Sequence, residues 1–159
     1  MSARILVVDD DEDSRELVRR MLESEGYAVA TAAGGEEGLE LARAIEPSLI
    51  TLDVLMPGMD GYEVCRRLKE NPLTRRIAVI FVSARDRDDD ECQGFSLGAV
   101  DYISKPINLQ ILNARIMVQF RIKQLLEQQK LQADTLIQSL HENSMAAESE
   151  QEQLRRDNN

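Results

Sequence analysis

Along roughly the first 120 residues, short apolar runs rich in Val and Ile alternate with stretches whose apolar positions recur every three or four residues. The runs predict strands at Arg4–Val8, Ala28–Thr31, Leu49–Asp53, Ile77–Ser83 and Val100–Ser104. The periodic stretches predict helices at Ser14–Glu25, ending at Gly26, and Gly35–Ala44, closed before Pro47. Further helices are expected at Gly61–Glu70, ended by Asn71-Pro72, at Asp89–Leu97, capped by Gly98, and from Leu109 onwards. Strands apolar on both faces belong in a parallel sheet with helices on either side, so the pattern predicts an α/β fold of five βα units.

After Ile122 the chain changes to Gln, Glu, Leu and Ala, with neither Gly nor Pro to its end. Ile122, Leu126, Ala133, Leu136, Leu140, Ala147 and Leu154 fall on one alternating four-and-three series, interrupted by Gln129, Asn143 and Glu150. This is heptad spacing with an imperfect seam. It divides the chain into a domain at 1–121 and a helical extension at 122–159, which predicts a weak coiled coil, a parallel homodimer and fraying in the polar last residues.

Composition narrows the classes. A chain of 159 residues, 43% apolar and without Trp, holds one ordinary domain plus an extension. Apolar runs such as Ala78 to Val82 are too short to span a bilayer, and the N-terminus lacks the basic-then-apolar order of a secretion signal, so a cytoplasmic protein without membrane contact is expected. Cys65 and Cys92 lack metal-type spacing and read as reduced structural thiols. A net charge of −10 argues against direct DNA binding, which needs clustered Lys and Arg, and suits a carboxylate cluster around a cation. The run Asp86 to Glu91 reads as a solvated loop and the acidic first turn of a helix, and His141 as an exposed helix residue.

The candidate chemistry starts from LITLDVLMPGMDG at 49–61, where a run of buried-looking residues delivers one carboxylate, Asp53, and then breaks. Such an acid can be held only at the strand's end, within reach of water or a cation. In open parallel sheets the active crevice lies beyond the carboxyl ends of the strands. Polar residues gather there: Asp9 and Asp10 after the first predicted strand, Asp53 ending the third, Ser83 ending the fourth and Lys105 after the fifth. Converging acids repel unless a cation shares them, and a carboxylate, carbonyl and water donor set suits Mg²⁺. With Lys105 and Mg²⁺ neutralising a phosphoryl group, Asp53 reads as a nucleophile forming an acyl phosphate, and Ser83 as a donor to a phosphoryl oxygen.

The motifs ILVVDDD at 5–11, LDVLMPGMDG at 52–61, FVSA at 81–84 and DYISKPI at 101–107 resemble the receiver domain of two-component response regulators. The resemblance covers about residues 3 to 120. It implies a flavodoxin-like doubly wound sheet of strand order 2-1-3-4-5, with Asp53 as phosphoacceptor for a partner histidine kinase or phosphotransfer protein. It further implies that Asp9 and Asp10 are the acid pair, Asp10 the more direct metal ligand, with the Leu55 carbonyl a further ligand. Ser83 matches the switch hydroxyl, Tyr102 the aromatic that moves with it, and Lys105 the site lysine, followed by a bond to Pro106 that is often cis. Leu55 and Arg85 match two positions that tune self-dephosphorylation, and an apolar Leu55 predicts a long-lived phosphoryl group.

The expected function is a phosphorylation-dependent switch, relayed through Ser83, Tyr102 and the C-terminal helix, that catalyses only its own phosphorylation and dephosphorylation. The alternative is the N-terminal regulatory part of a larger output protein: a diguanylate cyclase, a cyclic-di-GMP phosphodiesterase or a kinase. A haloacid-dehalogenase-type phosphohydrolase would carry an acid two residues after a nucleophile on the first strand, whereas Asp53 is on the third and Leu55 follows it. A scaffold using only the coiled coil does not explain the intact acid set.

Overall fold

The structure, a computed structural model, describes residues 4–84 and 93–158. Contacts divide the chain into two units, Met1–Gln119 and Phe120–Asn159.

In the first unit, β1 (Arg4–Val8), β2 (Ala28–Ala32), β3 (Leu49–Asp53), β4 (Ala78–Ser83) and β5 (Asp101–Ser104) form one sheet in the order β2-β1-β3-β4-β5. All pairings are parallel, with Val8 opposite Leu52, Asp53 opposite Val82 and Ser83 opposite Ser104. The carboxyl ends of β1, β3, β4 and β5 therefore share one rim.

Alternation along the strands separates two cores. Leu6, Val8, Ile50, Leu52 and Phe81 join one buried cluster with Leu39 and Ala42 of α2 (Gly35–Ile45) and Val64 and Leu68 of α3 (Gly61–Glu70). Ile5 and Val7 point to the other face, and Val18 and Leu22 of α1 (Glu12–Ser24) are buried, as are Leu112 and Ile116 of the C-terminal helix (Leu109–Asp157). Every residue of β3 is buried, in keeping with a sequence that is apolar but for Thr51 up to its last position.

Three of the helix starts follow from side-chain caps. Asp11 Oδ2 accepts from Ser14 N at 3.0 Å, Asp60 Oδ1 from Glu63 N at 2.9 Å, and Asn108 Oδ1 from Ile111 N at 3.2 Å. Thus α1 begins two residues before Ser14, the expected start, because the cap is Asp11. Further shifts are small: β2 extends to Ala32, α2 runs to Ile45 and stops at Glu46 in left-handed conformation (φ 46°), and Ile77 and Val100 lie in turns just before β4 and β5. The expected helix start at Asp89, together with Arg85, the run Asp86 to Glu91 and Cys92, lies outside the described residues. Residues 93–96 are helical and Gly98 follows at φ +97°.

The second unit is helical to Asp157, and Ile122, Leu126, Leu136, Leu140 and Leu154 of the heptad series are all exposed. Ala133 and Ala147 are exposed on the same series. Among the described residues, no helix is long and apolar enough to cross a membrane.

Candidate functional site

The rim at the carboxyl ends of β1, β3 and β5 collects acids and one lysine. Carboxylate oxygens of Asp9, Asp10 and Asp53 lie within 4.8 Å of one another. Asp9 and Asp53 are buried and Asp10 is exposed. Lys105 Nζ donates to Asp9 Oδ2 at 3.2 Å and stands 3.7 Å from Asp53 Oδ2. Its backbone N–H donates to the Ser83 carbonyl at 2.7 Å, fixing the start of the β5 loop against the end of β4. The Lys105-Pro106 peptide is cis, as the resemblance implied.

The turn carrying the acid pair is tied down at Asp9. Its N–H donates to Ala32 O at 3.1 Å, and its Oδ1 accepts from Asp11 N at 3.0 Å. Its carbonyl accepts from Arg15 Nη1 at 2.9 Å. Among the described residues the Asp10 carboxylate has no such side-chain bond, so of the acid pair it is the one left open to solvent and to a cation.

Burial pushes the Asp53 carboxyl up to about 7; the Asp9 charge adds to the rise and Lys105 opposes it. Burial is thus the larger cause of the rise and the neighbouring Asp9 charge the second, with a single ammonium opposing both. The donor set is hard oxygen, which fits Mg²⁺ or a similar cation.

Ser83 is fully buried at the end of β4. Tyr102 is buried too, in a row of rings: Phe81 and Tyr102 centroids are 6.2 Å apart, and Tyr62 meets Phe81 edge-on at 5.1 Å. Leu55, two residues beyond Asp53, is 46% exposed beside the acid cluster. Arg85 is outside the described residues. Away from this rim, Cys65 is a buried thiol raised in pKa by desolvation, and His141 is exposed on the C-terminal helix.

Two residues not singled out by sequence support the site. A Cβ on Gly61 would come within 2.2 Å of the Asp53 carbonyl oxygen, and its N–H donates to Val54 O at 2.9 Å, so only glycine lets α3 start this close to the β3 end. The signal was present: glycine directly after a capping Asp60 is a poor helix former unless space demands it. Arg15 is the second, and its contact with Asp9 spans six residues, a spacing that follows no helical or strand period.

An open, five-stranded parallel sheet carrying an acidic cluster and a lysine at its carboxyl rim defines a doubly wound α/β domain of the flavodoxin-like class. The response regulator receiver domain family matches residues 5–117, and the chain belongs to it. It is a receiver domain of two-component response regulators. The response regulator PleD of Caulobacter vibrioides is 45% identical over 128 residues, which cover 80% of this chain and 28% of PleD. A probable cyclic di-GMP phosphodiesterase of Vibrio cholerae is 39% identical over 112 residues, 70% of this chain and 25% of that protein. The chain thus spans less than a third of the length of either relative. Among solved structures, the chemotaxis protein CheY4 of Vibrio cholerae superposes with a TM-score of 0.71 at 28% identity, covering 74% of this chain and 98% of its own.

Proposed function

We propose that Asp53 accepts a phosphoryl group from the phosphohistidine of a partner kinase or phosphotransfer protein. The observation that carries this reading is the sharing of one lysine by Asp9 and Asp53 beside a third, exposed acid, Asp10. Asp9, Asp10, Asp53 and the Leu55 carbonyl would hold Mg²⁺, which when bound supplies the positive charge the cluster lacks and offsets that of a phosphoryl group. An Asp53 carboxylate oxygen attacks phosphorus, an acyl phosphate P–O bond forms, and the P–N bond to the donor imidazole breaks with its electron pair leaving on nitrogen. Lys105 then faces a phosphoryl oxygen in place of a bare carboxylate, and the Ser83 hydroxyl donates to another, with Tyr102 following Ser83. Those contacts exist only in the phosphorylated state, which a population shift requires.

In this reading the chain catalyses only its own phosphorylation and dephosphorylation, and works in the cytoplasm. The C-terminal helix pairs with a second copy through its heptad series, and DNA is not a ligand of this acidic chain. A second reading, that the chain regulates an attached output module, is favoured by the small share it spans of PleD and of the probable phosphodiesterase.

The test is incubation with acetyl phosphate, with and without Mg²⁺, followed by intact mass and light scattering. The reading expects a Mg²⁺-dependent gain of one phosphoryl group in wild type and none in Asp53→Asn. A gain that persists in Asp53→Asn would sink it, and a mass in solution that never exceeds one chain would remove the paired helix.

A further inference from the structure

We infer that Arg15 is a positioning residue for the cation site, acting on Asp10 through the peptide that joins it to Asp9. The inference rests on the phosphoacceptor reading above. β1 ends at Val8, so the Asp9 carbonyl lies beyond the last residue of the strand. Arg15 Nη1, on the second turn of α1, supplies its donor at 2.9 Å. The same turn is closed by Arg15 N–H donating to Asp11 O at 2.9 Å, so both ends of Arg15 hold residues of the acid loop.

The choice of partner is informative. Arg19, one turn further on, pairs with Glu16 and Glu23 in the ordinary helical manner. Arg15, on the same acidic helix, has no carboxylate within ion-pair distance among the described residues; its guanidinium donates to a carbonyl instead. A hydrogen bond to a carbonyl fixes the plane of the peptide that follows, and that plane sets the direction in which the next residue leaves. Asp9 is already fixed by Ala32 O, Asp11 N and Lys105. Asp10 is the acid without such ties, so its aim depends on the Asp9–Asp10 peptide and hence on Arg15. Groups that orient metal ligands in this way commonly change affinity by 10- to 100-fold when lost.

Charge and position predict opposite signs. Removing a positive charge near a cation site tightens cation binding by Coulomb's law alone, whereas releasing Asp10 weakens it. The experiment is a calorimetric Mg²⁺ titration of the full chain as wild type, Arg15→Met and Arg15→Lys, with melting temperatures recorded without Mg²⁺. Met keeps an unbranched stem and good helix propensity; Arg15→Gln serves the same comparison if the Met variant does not fold. We expect about tenfold weaker Mg²⁺ binding in Arg15→Met, most of it regained in Arg15→Lys, which keeps a donor. Unchanged or tighter binding in Arg15→Met, or equal loss in both variants, overturns the inference while leaving the phosphoacceptor reading intact. A wild type that takes up no Mg²⁺ overturns both.

Discussion

The Lys105 ammonium stands 3.7 Å from Asp53 Oδ2, yet its hydrogen bond goes to Asp9 Oδ2 at 3.2 Å. Lys105 is thus anchored by one acid and offered to the other. In Lys105→Met, Asp9 and Asp53 lose their shared cation, and the loss of stability should reach about 2–3 kcal/mol, below the figure of about 3–5 kcal/mol for breaking a fully buried pair because Lys105 remains partly solvated. Thermal melting should show the loss in Mg²⁺-free buffer and recover part of it when Mg²⁺ is added. No recovery would mean that the cluster does not bind the ion.

Stability should also depend on pH through Asp53, whose folded pKa of about 7 lies above its ordinary value of 3.8. A raised folded pKa means that the native state binds the proton more tightly, so this contribution is complete below about 3.8 and is lost as pH rises towards and through 7. Without Mg²⁺ the protein should therefore melt at a lower temperature at pH 8 than at pH 6, the part of the loss that falls between those two pH values being about 1.4 kcal/mol of stability. Asp53→Asn, which is neutral throughout, should flatten that dependence and melt higher than wild type at pH 8. A wild-type slope that survives in Asp53→Asn would assign it to another group.

Leu55 places an exposed apolar side chain two residues from Asp53, where it can neither accept nor donate a hydrogen bond to an attacking water. Leu55→Asn should shorten the lifetime of the phosphorylated state by about tenfold, equivalent to about 1.4 kcal/mol in the hydrolysis barrier. Following loss of the phosphoryl group by intact mass decides it, and an Asn variant no faster than wild type counts against the role.

Gly61→Ala should be costly in spite of its conservative appearance. The new methyl meets Asp53 O at 2.2 Å and Val54 Cα at 2.9 Å, both backbone atoms that cannot rotate away. Displacing them should cost about 1–3 kcal/mol and shift the Asp53 carboxylate with its strand end. Denaturant unfolding and the rate of phosphorylation by acetyl phosphate should fall together, whereas Gly34→Ala, with open space at its Cβ, should leave the rate unchanged.

The strands were legible as short apolar runs, four of them cut off by a polar residue, and the rim because those polar residues recur at the same end of the four. Asp9, Asp10, Asp53 and Lys105 meet as the sequence suggested. Boundaries were less legible where a cap competes with a neighbour of similar chemistry: Ser14 looked like the start of α1, but Asp11 is its cap. The end of α2 was read from Pro47 one residue early, and the left-handed conformation of Glu46 was not legible, since such a terminus is usually signalled by Gly or Asn. Arg15 and Gly61 escaped because one acts over a six-residue spacing and the other by having no side chain.

The alternation of leucine with Gln129, Asn143 and Glu150 along the extension also bears on dosage. A helix seam that buries leucine at some layers and polar groups at others pairs too weakly to be permanent, and such pairing obeys mass action. Were the extension to pair with a second copy as proposed, the number of copies in a cell would become a second input beside phosphorylation, and scarce and abundant chains would answer the same stimulus differently.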